Sequence, residues 1–151
     1  MHTNQAHIET QVAFFADECR RANMRVTPQR LEIFRELLKS SDHPAAETLY
    51  RRVRTRQPTL SRDTLYRTLA TLECTGLVSR VGSATGTARF EANMTPHDHF
   101  LCVGCGEIAD LPSPDRTEMT EKIELPPGYQ LQTIQVESRG LCANCGVAEQ
   151  D

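Results

Sequence analysis

His97-Asp98-His99-Phe100-Leu101-Cys102-Val103-Gly104-Cys105 is a nine-residue stretch in which two kinds of metal ligand overlap. Its second part is a Cys-x-x-Cys pair, and after 36 intervening residues Cys142-Ala143-Asn144-Cys145 repeats the spacing. Two residues between the cysteines let the chain turn back so that both sulfurs reach one ion, and two such pairs supply four thiolates to a tetrahedral zinc. A filled sphere leaves no open position for chemistry. Cys102, Cys105, Cys142 and Cys145 are therefore expected to hold a structural Zn2+. Gly106 and Gly146, directly after each pair, are read as the residues that relax the two turns. The other reading of the same cysteines is a redox dithiol beside an unrelated pair.

The first part of the stretch has a different chemistry. In a strand, residues two apart share a face, so His97 and His99 could bind one ion if Phe100 and Leu101 carry the strand on into Cys102. Imidazoles beside carboxylates suit iron, manganese, nickel or zinc better than they suit a thiolate cage. Glu91 and Asp110 lie on either side, with Asp98 between the histidines. The alternative is a pair of solvated histidines in a loop after Pro96.

At 151 residues the chain has room for one ordinary domain or two small ones, and each small one would need help from a metal or a second chain. The later half has few large apolar residues, so zinc would be part of its folding free energy. No apolar run approaches the ~20 residues of a membrane span, and Met1-His2-Thr3-Asn4-Gln5 has neither the basic flank nor the apolar core of a secretory leader. The chain is read as cytoplasmic, where cysteines are more often metal ligands than disulfides. Its net charge of -3 hides an asymmetry: up to Phe90 there are 14 Lys+Arg against 9 Asp+Glu, and from Glu91 onward 3 against 11. The basic part points to a polyanion partner, the acidic part to cation binding or simple solubility.

Working back to the start, Ile8, Val12, Phe15 and Cys19 form one face of a helix over about 4 to 24, which makes Cys19 a small core residue. Thr27-Pro28 reads as a cap followed by a first-turn proline, opening a helix with Leu31, Phe34 and Leu38 on one face. Pro44 is placed in the first turn of a third helix, whose inner face is Ala46, Leu49, Tyr50 and Val53. His43 just before it reads by itself as a capping or solvated residue. Arg51, Arg52, Arg54 and Arg56 crowd the end of that helix, where they oppose its dipole and could equally meet phosphates. Ser61 caps a helix to about Thr75, with Leu65, Leu69 and Leu72 inward. Its outward side carries Arg62, Thr64, Arg67 and Thr68, with Tyr66 near it. Forked donors and methyl groups at the start of such a helix are what a major-groove reader needs, although most such faces are only solvated.

Leu77–Val81 and Thr87–Glu91 around Gly82-Ser83-Ala84-Thr85-Gly86 read as a hairpin, so helices followed by a hairpin give the order of a winged helix. Asn93-Met94-Thr95-Pro96 is the expected hinge. Beyond the first cysteine pair come a strand over Glu107–Leu111, a turn bracketed by Pro112 and Pro114, and a helix from about Asp115 to Glu124. A last strand is expected over Tyr129 to Val136.

Taken together these segments resemble the ferric uptake regulator (Fur) family over nearly the whole chain. The similarity is carried by Val26-Thr27-Pro28-Gln29-Arg30, His43-Pro44, the run SRDTLYRTLATLECTGL from Ser61 to Leu77, Arg89-Phe90-Glu91, the run HDHFLCVGCGEIADL from His97 to Leu111, and the final Cys-x-x-Cys. It implies an α+β chain, with a winged-helix DNA-binding domain over 1–92 and a small α/β metal-binding dimerisation domain with a four-cysteine zinc site over 93–151. The implied protein is a homodimeric, metal-dependent transcriptional repressor that binds a double-stranded DNA operator. By position, Cys102, Cys105, Cys142 and Cys145 match the structural zinc ligands, and His43, Glu91, His97, His99 and Asp110 match a regulatory site for Fe2+ or Mn2+. Tyr66 and Arg67 match positions that family members place against bases, and Arg62 and Thr64, outward at the start of the same helix, are the further DNA-contact candidates. The family's further site, built on Asp98 with a late-strand histidine, is expected to be absent because Gln130 to Val136 contains no histidine. The pattern is similar to the peroxide-sensing (PerR) branch, in which Fe2+ reacts with peroxide and a ligand histidine is oxidised; His43 and His97 are the matching candidates. Asp110 agrees with that branch, whereas Glu91 stands where peroxide sensors carry Asp and iron-uptake regulators carry Glu. An iron-responsive regulator is thus the alternative, and a thiol-disulfide redox protein the alternative of another class.

Overall fold

The computed structural model describes residues 5–82 and 86–147. The expectations that fell on Met1 to Asn4 and on Ser83 to Thr85 of the hairpin loop lie outside the described residues. The chain is α+β and divides into two compact units, Met1–Met94 and Thr95–Asp151. Among the described residues, no helix is long and apolar enough to cross a membrane.

The first unit runs α1 (Gln5–Arg21), α2 (Pro28–Lys39), α3 (Ala46–Arg54), α4 (Arg62–Cys74), then strands β1 (Ser79–Val81) and β2 (Arg89–Glu91). Local chemistry sets the starts of two helices. Thr27 accepts a hydrogen bond from the Arg30 amide with Pro28 in the first turn, and Ser61 accepts from the Thr64 amide. Each cap satisfies an amide that the helix itself leaves unpaired. Ile8, Val12, Phe15 and Cys19 are buried on α1, with Phe15 edge-on to Phe34 at 5.2 Å between ring centres.

Three expectations in this unit are corrected. On α2 the buried stripe is Ile33, Phe34 and Leu37, while Leu31 and Leu38 are only partly covered. The reason is that α2 touches α1, α3, α4 and β2, so its apolar arc is wider than one stripe. Thr68, expected outward, is fully buried and its hydroxyl donates to the Thr64 carbonyl at 2.7 Å, which lets a polar side chain sit inside. Pro44 is outside α3, which Ala45 precedes; the Pro44 carbonyl accepts from the Phe90 amide at 3.1 Å and so joins that segment to the hairpin.

The second unit contains β3 (His97–Cys102), β4 (Ile108–Pro112), α5 (Thr117–Lys122), β5 (Glu137–Gly140) and α6 (Ala143–Val147). Its sheet has the order β4-β3-β5, with β3 antiparallel to β4 and parallel to β5. The strand expected over Tyr129 to Val136 is absent, and pairing begins at Glu137 instead. The register explains it: His99 lies opposite Glu137, so residues before about 135 run past the start of β3 and have no strand to pair with. The helix expected from Asp115 begins at Thr117, because Asp115 turns its carboxylate onto the Thr117 amide at 3.0 Å.

Candidate metal centres

The four cysteines come together in the second unit. The β3–β4 turn carries Cys102 and Cys105, the segment after β5 carries Cys142 and Cys145, and their sulfurs lie within 4.8 Å of one another. Parallel pairing sets this up, since it places Cys102 opposite Gly140, two residues before Cys142. Each pair makes the same turn, with the amide of Gly106 bonded to the Cys102 carbonyl and that of Gly146 to the Cys142 carbonyl, both at 2.9 Å. Gly106 has φ 77°, as the relaxed-turn reading requires. Gly146 does not need positive φ, and the glycine packed tightly against the cysteines is Gly104. A Cβ there would lie 3.0 Å from the Cys145 sulfur and 3.1 Å from its Cβ.

All six cysteines are unbonded. The Cys105 and Cys142 sulfurs are 3.7 Å apart, close to the ~3.8 Å edge of a tetrahedron with Zn–S of about 2.3 Å. The Cys142 amide donates to the Cys102 sulfur at 3.2 Å. That bond and a second from the Cys105 amide lower the Cys102 thiol to about 6, while the neighbouring thiols of Cys105, Cys142 and Cys102 push Cys145 up to about 12. Four thiols so close cannot all ionise without a cation among them, and a soft divalent ion removes that repulsion. The donor set fits zinc.

The nitrogen and oxygen donors form one group in each unit. In the first, β2 and the segment before α3 are stitched together by an Ala45–Arg89 bridge, the Phe90–Pro44 bond, and the Arg89 guanidinium on the His43 carbonyl at 3.3 Å. This stitching holds His43 at φ 47°, buried, with Nε2 3.2 Å from Glu91 Oε2. Beside it the Arg52 guanidinium holds the Asp42 carboxyl below the usual carboxylate range. Glu91 Oε1 accepts from the Ser79 hydroxyl at 2.9 Å.

In the second unit, strand alternation puts His97 and His99 on one face with ring centres 4.6 Å apart. Antiparallel register places Asp110 opposite His99, and Asp110 Oδ1 lies 3.4 Å from His97 Nε2 and 3.7 Å from His99 Nε2. The His97 Nδ1 is 2.6 Å from the Thr95 carbonyl, a bond that orients its ring and leaves Nε2 toward the aspartate. Asp98 takes the opposite face, buried against the Arg116 guanidinium, which also donates to the Ile134 carbonyl at 2.7 Å. The sequence carried no signal for Arg116 or Gly104, whereas Ser79 follows from hairpin register, which sets it opposite Glu91.

On α4, Tyr66 and Arg67 are exposed. Arg62 reaches back to α3, where it bonds both Glu47 oxygens at 2.9 and 3.2 Å and lies over the Tyr50 ring at 4.5 Å. Thr64 is partly covered, with its amide and hydroxyl engaged by Ser61.

The profile of the Ferric uptake regulator family matches residues 21–139. The chain belongs to this family. Among curated Fur-family relatives, it is 30% identical over 126 residues to the Peroxide-responsive repressor PerR of Staphylococcus epidermidis, across 83% of this chain and 84% of that one. Among solved structures, the Helicobacter pylori ferric uptake regulator Fur superposes with a TM-score of 0.80 at 22% identity, covering 92% of this chain and 93% of that one, which is a likeness of fold. A zinc uptake regulator solved with zinc and DNA gives a TM-score of 0.65 at 25% identity, covering 97% and 99%. The Fur-family chain is thus a metal-responsive regulator with a winged-helix first unit and a four-cysteine cluster in the second.

Proposed function

We propose that this protein is a homodimeric transcriptional repressor, not an enzyme, that binds a double-stranded DNA operator through residues 1–92 and dimerises through residues 93–151. Zn2+ held by Cys102, Cys105, Cys142 and Cys145 keeps the second unit folded. Fe2+ or Mn2+ held by His43, Glu91, His97, His99 and Asp110 switches DNA binding. The observation that carries this reading is that each unit has a preassembled part of a mixed nitrogen and oxygen donor set: His43 with Glu91 in one, and His97 with His99 and Asp110 in the other. Two or three donors hold a first-row divalent ion weakly, whereas five from both units hold it well and make the orientation of one unit on the other depend on the ion. Arg62, Thr64, Tyr66 and Arg67 then meet DNA; Tyr66 and Arg67 are exposed on α4, and a zinc uptake relative has been solved bound to DNA. Arg62 would exchange the Glu47 carboxylate for a phosphate.

The stimulus we propose is peroxide. Fe2+ held by His43, Glu91, His97, His99 and Asp110 would supply the redox chemistry that activates hydrogen peroxide, one peroxide oxygen going to an imidazole carbon and the other leaving as water. His43 and His97 are the side chains that would take up that oxygen, and an oxidised ring would be a poorer ligand. Asp110 and the 30% identity to a peroxide-responsive repressor favour this version. Glu91 favours the other, an iron-responsive regulator in which repression follows Fe2+ supply alone. Operator binding measured by fluorescence anisotropy with Mn2+ or Fe2+, before and after a stoichiometric dose of peroxide, separates them. The peroxide version requires that the Fe2+ form alone loses DNA and gains oxygen on the His43 or His97 peptide by mass spectrometry. Undiminished binding with unmodified peptides would leave the iron-responsive version.

A further inference from the structure

We infer that Ser79 is a positioning residue for the Glu91 carboxylate, fixing which of its oxygens faces a cation and thereby how tightly the regulatory ion is held. The inference rests on the reading of Glu91 as a ligand of that ion. Ser79 lies on β1, twelve positions from Glu91 in sequence, and is brought opposite it by the hairpin register. Its hydroxyl donates to Oε1 at 2.9 Å, while Oε2 faces His43 Nε2 at 3.2 Å.

A carboxylate can meet a cation through one oxygen or through both. A hydroxyl hydrogen bond draws charge from Oε1 and pins the carboxylate plane, so that Oε2, on the histidine side, is the oxygen offered. Glutamate has one more side-chain torsion than aspartate at this position, and freezing it is part of the cost of binding. The Ser79 bond removes that freedom in advance, within a residue that is 8% exposed. Outer partners that orient a ligand typically change metal affinity by about 10- to 100-fold when removed.

The experiment is Mn2+ titration of the full-length, zinc-loaded protein against a competing fluorescent chelator, for wild type, Ser79→Ala, Ser79→Thr and Glu91→Ala, with a thermal melt of each before Mn2+ is added. We expect Ser79→Ala to bind Mn2+ about tenfold more weakly, Ser79→Thr to recover wild-type affinity because it restores the hydroxyl, Glu91→Ala to lose the site, and the two Ser79 variants to melt with wild type. Wild-type affinity in Ser79→Ala, beside loss in Glu91→Ala, would overturn the role of Ser79 and leave Glu91 a ligand. Equal weakness in Ser79→Thr and Ser79→Ala would also overturn it, because the hydroxyl would not be the cause. Wild-type affinity in Glu91→Ala would remove the ligand assignment and this inference with it.

Discussion

His43 adopts φ 47°, in the left-handed region, where an L residue is disfavoured by roughly 1–2 kcal/mol. A buried side chain kept in that conformation is held there by its surroundings, here the Arg89 and Phe90 bonds to its own and the next carbonyl. His43→Gly should therefore be more stable than His43→Ala by about 1 kcal/mol in the metal-free protein, although both lose the imidazole. Chemical denaturation of the two variants checks the first half, and Mn2+ titration the second. Gly104→Ala should loosen the cysteine cluster, since its Cβ would meet the Cys145 sulfur at 3.0 Å. The readout is faster zinc transfer to a colorimetric chelator; release at the wild-type rate would mean that the turn adjusts freely. The cysteine pairs and the His-x-His step are legible in sequence because ligand spacing is a local property of the backbone. Gly104 and Arg116 were not, because each acts on a residue that only the fold brings near.

The capped starts of α2 and α4 were also local and therefore legible, whereas α3 and α5 each begin later than expected. Removing the Ser61 cap by Ser61→Ala should cost about 1 kcal/mol, read in a urea melt, and should fray the first turn of α4, where Arg62 and Thr64 sit. Between helices, Glu9 of α1 and Glu32 of α2 share Arg35, while Arg56 beyond α3 bonds both Glu32 and Glu36. Burial alone would raise the Glu32 carboxyl, but the Arg56 and Arg35 guanidiniums outweigh it and hold it below the usual range. A carboxyl lowered in the folded state adds stability that is complete above the ordinary glutamate value, about 4.3, and is lost as pH falls through the lowered one. Glu32→Gln should thus lower stability by about 1 kcal/mol near neutral pH and by progressively less as the solution is acidified. A pH series of denaturation midpoints that stays parallel to wild type would contradict it. Where the sequence misled, several elements competed for one residue. Thr68 reads as outward by type yet is buried, and the alternating run over Tyr129 to Val136 lacks a partner strand because of the register at Glu137.

At the scale of the molecule the two units differ in how they are stabilised. The hydrophobic cluster draws on residues between Ile8 and Phe90, whereas the buried apolar residues described in the second unit are Leu101, Cys102 and Ile108. So little apolar burial does not offset the conformational entropy of a unit this size. Zinc coordination, together with the apolar burial that dimerisation through this unit would add, supplies the difference. Chelation should abolish protection of the β3–β5 amides in hydrogen exchange while the α1–α4 amides stay protected. Loss of both together would show that the first unit depends on the second. The order of the ligands along the chain adds a temporal consequence. The first two thiolates are translated before β5 and the last two after it, so a nascent chain extended past Cys105 but not yet to Cys142 carries a complete first unit ahead of a sheet that still lacks half its cage. The cage can close only after Cys145 has been added, which makes zinc loading a late step in the maturation of each new chain.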